Sequence, residues 1–170
     1  LRYAGISSNP VLVSTRSNGI AYFPNISAYN YVISAVEIQE GLILLDATEK
    51  YALPNVLPLR DLNWFGRLIR KEGSSTNVNL IPSSLSREII NMNLGLNSDA
   101  EVEGKVRRQF MDHSALSFRH KFASQKQESY LEDLENSFDN IEISDYNRDN
   151  ELELSKPIIE TFSFNDSKHI

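Results

Sequence analysis

Residues 29–46, Tyr29-Asn30-Tyr31-Val32-Ile33-Ser34-Ala35-Val36-Glu37-Ile38-Gln39-Glu40-Gly41-Leu42-Ile43-Leu44-Leu45-Asp46, decide how the first part of the chain folds. Two runs of β-branched and aliphatic residues flank Glu40-Gly41, so they read as an antiparallel hairpin. The first run, Tyr29 to Ile38, holds more apolar residues than a half-exposed strand needs, which argues for a position inside a sheet. Asp46 falls at the end of the second strand.

Upstream, Val11 to Thr15 is a short β-branched run. Ser17-Asn18-Gly19 is a turn signal before Ile20 to Phe23. Residues 1–6 read as the end of a helix that stops at Gly5. Downstream, Pro54 and Pro58 mark a loop-like path to Trp64. Residues 71–86 are small and polar, punctuated by Gly73 and Pro82, which places a linker there. The expected organisation is a domain over 1–70, a linker over 71–86 and a second domain over 87–170.

The second domain opens with a strand over Arg87 to Leu96 and a turn at Asn97-Ser98-Asp99. An alternating strand follows, with Ala100, Val102, Val106 and Phe110 on one face and Glu101, Glu103, Lys105, Arg107 and Gln109 on the other. A short helix is predicted over 115–122. A second begins at Ser124, where Gln127 completes a capping-box pattern; Tyr130, Leu131, Leu134 and Phe138 form its apolar stripe, read as core. Strands over 140–144, 151–155 and 158–164 complete a β-β-α-β-β-β order. The fold class is therefore α+β: an antiparallel hairpin region plus a small, mainly antiparallel sheet packed by one or two helices.

Composition narrows the function. Hydrophobic residues make up 41% of the 170 and charged residues 24%, which is ordinary for a folded domain. No stretch approaches the roughly 20 apolar residues of a membrane-spanning helix. Residues 1–70 carry a net charge of +1 and residues 71–170 a net −7. Lys105, Arg107 and Arg108 are the nearest thing to a basic patch, and they read as the solvated face of a strand, so nucleic acid is not an expected partner. With no cysteine, the chain holds no disulfide, thiolate metal site or thiol nucleophile of its own. It opens on Leu1 rather than methionine and is expected to come from a longer protein.

Three stretches carry a resemblance: Leu1-Arg2-Tyr3-Ala4-Gly5-Ile6 with Pro10 to Arg16, Tyr29-Asn30-Tyr31-Val32-Ile33, and Leu44-Leu45-Asp46-Ala47-Thr48-Glu49. In order and spacing residues 1–65 resemble the C-terminal half of the transglutaminase-like (papain-type Cys-His-Asp) domains of large, Bacteroidetes-type bacterial envelope proteins. The region after them resembles the domain of unknown function that follows. The resemblance implies a cysteine nucleophile on an upstream helix, a histidine on the first hairpin strand as its base, and an aspartate that fixes the histidine tautomer. The aspartate corresponds to Asp46. The histidine position holds Tyr31, whose ordinary pKa of about 10 makes it a poor base for a thiol. The cysteine would lie upstream of Leu1.

The resemblance thus implies a degenerate triad, Asp46 and Tyr31, in a non-catalytic binding or structural module at a periplasmic or cell-surface location. One alternative is an active cysteine transferase or protease whose base would be His113, His120 or His169 folding back. Another is a carbohydrate- or peptide-binding β module using Tyr22, Phe23 and Trp64. Without chemistry, Asp46 would cap its turn with Thr48, and Tyr31 would be a packed strand aromatic with one hydroxyl partner. No cofactor or metal is expected. Asp145-Tyr146-Asn147-Arg148-Asp149 starts like a calcium loop, but Asn150 replaces the required glycine and Lys156 the bidentate glutamate; a polar turn is the better reading. His113 and His120 lack a third ligand. Asn25-Ile26-Ser27 matters only in a glycosylating pathway. A protein or peptide partner is expected. The isolated fragment should also dimerise, through an apolar hairpin face around Tyr29, Val32 and Ile33.

Overall fold

The computed structural model describes residues 1–23, 25, 27–96, 98, 101–138 and 141–166. Part of the expected turn at 97–99, Ala100, Asn140, His169 and Ile26 lie outside them. The chain divides into two compact units, Leu1–Leu85 and Ser86–Ile170. Both have antiparallel sheets, and the second has two helices, so the class is α+β.

The first unit is a five-stranded sheet in the order β3-β2-β1-β4-β5, with β1 at Asn9–Val13, β2 at Tyr31–Ile38, β3 at Gly41–Leu45, β4 at Phe65–Ile69 and β5 at Ser75–Asn79. The β2–β3 hairpin forms as expected, with Val36 opposite Ile43, and β2 lies inside the sheet because β1 pairs along its other side. Alternation then sorts the side chains. Val11, Val13, Ile33, Ala35, Leu44, Leu68 and Val78 share one face, and Leu57 and Leu80 pack into it from beyond the strands.

That packing overturns several expectations. The face around Ile33 is not bare: Ile33 is buried within its own unit, while Val32 points the other way and is exposed. The linker expected over 71–86 contains β5, which pairs with β4 around a turn at Gly73 (φ 92°). Its residues look linker-like because an edge strand with one buried face needs few apolar positions, here Val78, followed by Leu80. The stretch after the Ser17-Asn18-Gly19 turn adds no strand to β1, which is paired on both sides by β2 and β4. Residues 2–4 form one 3-10 turn rather than a helix end.

The second unit is a four-stranded sheet, β6-β7-β9-β8, with β6 at Arg87–Leu96, β7 at Val102–Met111, β8 at Glu142–Asp149 and β9 at Ile158–Asp166. Helices α1 (Asp112–Phe122) and α2 (Gln127–Ser137) intervene between β7 and β8. The order is therefore β-β-α-α-β-β. Val106, Phe110, Ile158 and Phe162 meet Ala115, Phe118, Tyr130 and Leu134 in the core, with Phe110 and Phe118 ring centroids 4.6 Å apart.

The expected strand over 151–155 is instead a turn. The buried guanidinium of Arg119 takes its carbonyls: Nε donates to Glu151 O at 2.9 Å, and Nη2 to the carbonyls of Asn150, Glu153 and Lys156 at 2.9–3.1 Å. The polar turn expected over 145–149 is the second half of β8. A register shift between Ser144 and Asn147 and a left-handed backbone at Asp145 (φ 50°) absorb the extra residues. Helix α2 starts after Lys126 with no side-chain cap, so Ser124 and Gln127 do not form a capping box. Phe138 lies past its end and is exposed. Helix α1 begins three residues before the expected 115, directly from β7, through a left-handed turn at Asp112 (φ 49°).

Gly66 lies on β4 beside β1, on the same face of the sheet as Val11. A Cβ there would lie 2.6 Å from Val11 Cγ1 and 3.1 Å from the Leu12 carbonyl oxygen. Val11 is fully buried and stiff at χ1, so it cannot move aside cheaply. Gly66→Ala is expected to destabilise the first unit by about 1–3 kcal/mol in urea unfolding.

Candidate functional site

The site grows from the end of the β2–β3 hairpin. Leu44 faces the core and Leu45 does not, so the next residue, Asp46, turns back to the core side. Ser34 pairs with Leu45, and the same register carried one step further sets Asp46 opposite Ile33, diagonal to Tyr31. A diagonal pair on one face is within reach of an aromatic side chain. The Tyr31 hydroxyl accordingly lies 3.1 Å from both Asp46 oxygens. The two residues singled out in the sequence are therefore in direct contact.

Asp46 is held by more than Tyr31. The Thr48 backbone N–H (2.9 Å) and hydroxyl (2.8 Å) both donate to Oδ1, closing the local turn expected of an Asp-x-Thr sequence. Arg60 Nη2 donates to Oδ2 at 2.6 Å. The same nitrogen reaches the Thr48 hydroxyl at 3.0 Å, and the guanidinium lies over the Tyr31 ring, 5.5 Å from its centroid. The Tyr31 and Thr48 hydroxyls also touch each other. Asp46 thus receives donors from Tyr31, Thr48 and Arg60 at once, which uses up the roughly four lone-pair positions of a carboxylate. Burial pushes its pKa up, but the Thr48, Arg60 and Asp61 hydrogen bonds outweigh that and hold it below the usual carboxylate range.

Sequence reasoning missed Arg60 and Asp61. They lie in the Pro58–Asp61 turn, which is stitched to the end of β1. Arg16 N–H donates to the Arg60 carbonyl at 2.9 Å and Arg16 Nε to the Leu62 carbonyl at 2.9 Å. The Asn63 amide donates to the carbonyls of Ser14 (2.9 Å) and Gly19 (2.7 Å). Asn30 and Thr15 bond reciprocally, Thr15 N–H to Asn30 Oδ1 and Asn30 Nδ2 to Thr15 Oγ1, both at 2.9 Å. These bonds link the Val11–Arg16 and Tyr29–Ile33 stretches that the sequence pattern had grouped. The Arg-Asp dipeptide itself carries no motif that would announce it.

Asp61 is the unusual member. It is fully buried, and neither carboxylate oxygen has a hydrogen-bond donor; Arg60 Nε stands 3.8 Å away, too far to donate well. Burial first, and the negative charge of Asp46 second, push its pKa up to about 7. Protonation turns the Asp61 carboxyl from an acceptor without donors into a neutral group, which burial favours. Burial without an outside donor, beside the negative charge of Asp46, thus favours the protonated form of Asp61. Glu49, also buried, adds negative charge and meets Arg60 Nη1 at 3.5 Å.

Tyr31, Thr48 and Arg60, which donate to Asp46, belong to its own unit, and none of them is an imidazole. His113 and His120 belong to the second unit, on α1. The calcium-like residues are spent locally: Asn147 Nδ2 donates to Asp149 at 3.1 Å and the Ser163 hydroxyl to Asp145 at 3.2 Å. Among the described residues no group of three or more His, Cys, Asp or Glu is arranged to hold a metal, and no helix is long and apolar enough to cross a membrane. Tyr22, Phe23 and Trp64 are exposed.

The Asp61 arrangement has a pH signature. Its folded pKa of about 7 lies above the ordinary unfolded value of about 3.9, so the folded state holds the extra proton between them. Asp61 therefore contributes most below about pH 4 and loses that contribution as pH rises through 7. Asp46, whose folded pKa is lowered, acts oppositely and matters only on the acid side. Thermal melts should show the melting temperature falling between pH 5 and 8 in the native chain. Asp61→Asn, which keeps a donor without an ionisable proton, should flatten that slope.

No protein-family model, curated protein or solved structure matches this chain.

Proposed function

We propose that the chain is a non-catalytic binding or structural module of a bacterial cell-envelope protein, derived from a transglutaminase-like domain whose triad has degenerated. The observation that carries this reading is the saturation of Asp46. An aspartate that orients a catalytic histidine must keep a lone pair free for an imidazole N–H. Here Tyr31, Thr48 and Arg60 occupy the carboxylate, and Arg60 offsets the charge that would stabilise an imidazolium. On this reading Tyr31 replaces the histidine base. The cluster joins β2, the end of β3 and the 58–61 turn, which is a bracing role.

The test is amine incorporation, using this chain and any longer form with a cysteine upstream of Leu1. Ammonia release from a glutamine peptide plus a primary amine should stay at background in both. Tyr31→Phe should leave that background unchanged while lowering the melting temperature by a few degrees. Incorporation that Asp46→Asn abolishes would sink the proposal in favour of the cysteine transferase reading.

A second reading, a carbohydrate- or peptide-binding β module, is favoured by the aromatic surface. Trp64 is 53% exposed, Tyr22 74% and Phe23 81%. Asn63 bonds to the Gly19 carbonyl, which brings the loop before Tyr22 and Phe23 next to the residue preceding Trp64. Flat exposed aromatics suit sugar faces and peptide side chains alike. As the single tryptophan, Trp64 reports on this surface. On this reading its fluorescence is quenched by iodide and shielded by glycan oligosaccharides or a peptide library pool; unchanged quenching with every additive removes the reading.

A further inference from the structure

The edge strands are treated unequally. In the first unit, Asn55 occupies the open side of β3: its N–H donates to the Leu44 carbonyl at 2.9 Å, and its Oδ1 accepts from Leu44 N–H at 2.8 Å. The other edge, β5, is five residues long and polar apart from Val78. In the second unit, β8 is bulged and carries Glu142, Asp145, Arg148 and Asp149. These are the ordinary ways of keeping an edge from pairing with another chain. Strand β6 has none of them. It runs ten residues in unbroken register with β7, has no proline or lysine, and its charges sit only at Arg87 and Glu88.

Register with β7 places Ile90, Met92, Leu94 and Leu96 on the face that carries Val106 and Phe110. All four are about half to two-thirds exposed. Gly104 extends this apolar stripe across the sheet. A Cβ there would lie 2.6 Å from the Phe164 ring and 2.9 Å from Leu94 Cδ2, so the glycine lets the two side chains close over β7.

We propose that β6 is a homodimer interface, pairing antiparallel with β6 of a second copy about a two-fold axis through Asn93. The strand is self-complementary in this register. Ile90 falls opposite Leu96 of the second copy and Met92 opposite Leu94, so all four apolar residues meet apolar residues. Asn91 faces Gly95 and Asn93 faces Asn93 on the other side of the sheet. Arg87 and Glu88 fall outside the paired segment, so no charge is buried. An axis one residue earlier, through Met92, would set Glu88 against Leu96. The pairing satisfies the open backbone groups of β6 and joins two four-stranded sheets into one of eight strands. Seven residues a side make a small interface, below the roughly 1,200 Å² of standard complexes, so the dimer dissociates on dilution.

The test uses the whole chain. Sedimentation from micromolar to millimolar concentration should show monomer converting to dimer. Leu94→Lys, at an exposed position, should remain monomeric over that range with an unchanged far-UV spectrum, and Val32→Lys in the first unit should dimerise like the native chain. Because the chain has no cysteine, single cysteines report the register. Asn93→Cys should form a disulfide-linked dimer under mild oxidation, and Ile89→Cys, four positions from the axis, should not. A native chain that stays monomeric, a dimer that survives Leu94→Lys, or faster cross-linking at 89 than at 93 would each overturn the proposal.

Discussion

A carboxylate taken out of water must be given donors, and each unit is organised around meeting that demand. In the first, Asp46 draws Tyr31 from β2, Thr48 from the turn after β3 and Arg60 from the distant 58–61 turn. The turn that supplies Arg60 follows Leu57 in sequence, and Leu57 packs on the sheet with Val11, Ile33 and Leu68. Polar satisfaction and apolar cover therefore come from one stretch of chain. In the second unit Glu160, fully buried on β9, accepts from the hydroxyls of Tyr130 (2.6 Å) and Tyr146 (2.9 Å) and from Arg108 (3.3 Å). Burial, with the Glu160 charge adding, pushes both hydroxyls above the ordinary tyrosine range, so they remain donors. Arg119 meets the converse demand with four backbone carbonyls, and in doing so shapes the 150–156 turn.

These networks mark where the sequence could and could not be read. The β2–β3 hairpin, the alternation of Val106 and Phe110 and the helical stripe of Tyr130, Leu131 and Leu134 were legible because period and burial agree there. Residues 151–155 alternate as a strand would, yet they form a turn, because a guanidinium 31 to 37 positions away in sequence claims their carbonyls. Residues 75–79 look like linker and form a strand, because an edge position asks little of side chains. Both misreadings have one origin: partner availability is a property of the tertiary fold, and local pattern does not record it.

The site shows the same division. Asp46, Tyr31 and Thr48 lie within 17 residues, on adjacent strands whose register is set by the hairpin, so their contact follows from spacing. Arg60 and Asp61 reach the same place through a loop with no regular period. Bonds from Arg16 and Asn63, with the packing of Leu57, fix where that loop lands. Asp61 in particular looks like an ordinary loop aspartate until its burial is known.

Tyrosine at position 31 changes what the aspartate beside it can do. A histidine there would donate one proton to the aspartate and keep a second nitrogen for a thiol, which makes a relay. Tyrosine has a single proton, directed at Asp46, and its oxygen is in contact with Thr48 and within 3.4 Å of Arg60. On the proposed reading, nothing there is left to take a proton from a nucleophile. Asp61, whose pKa burial pushes up to about 7, has no exposed surface. On the proposed non-catalytic reading, the titration of Asp61 is linked to the folding of its own unit, which is how a brace behaves.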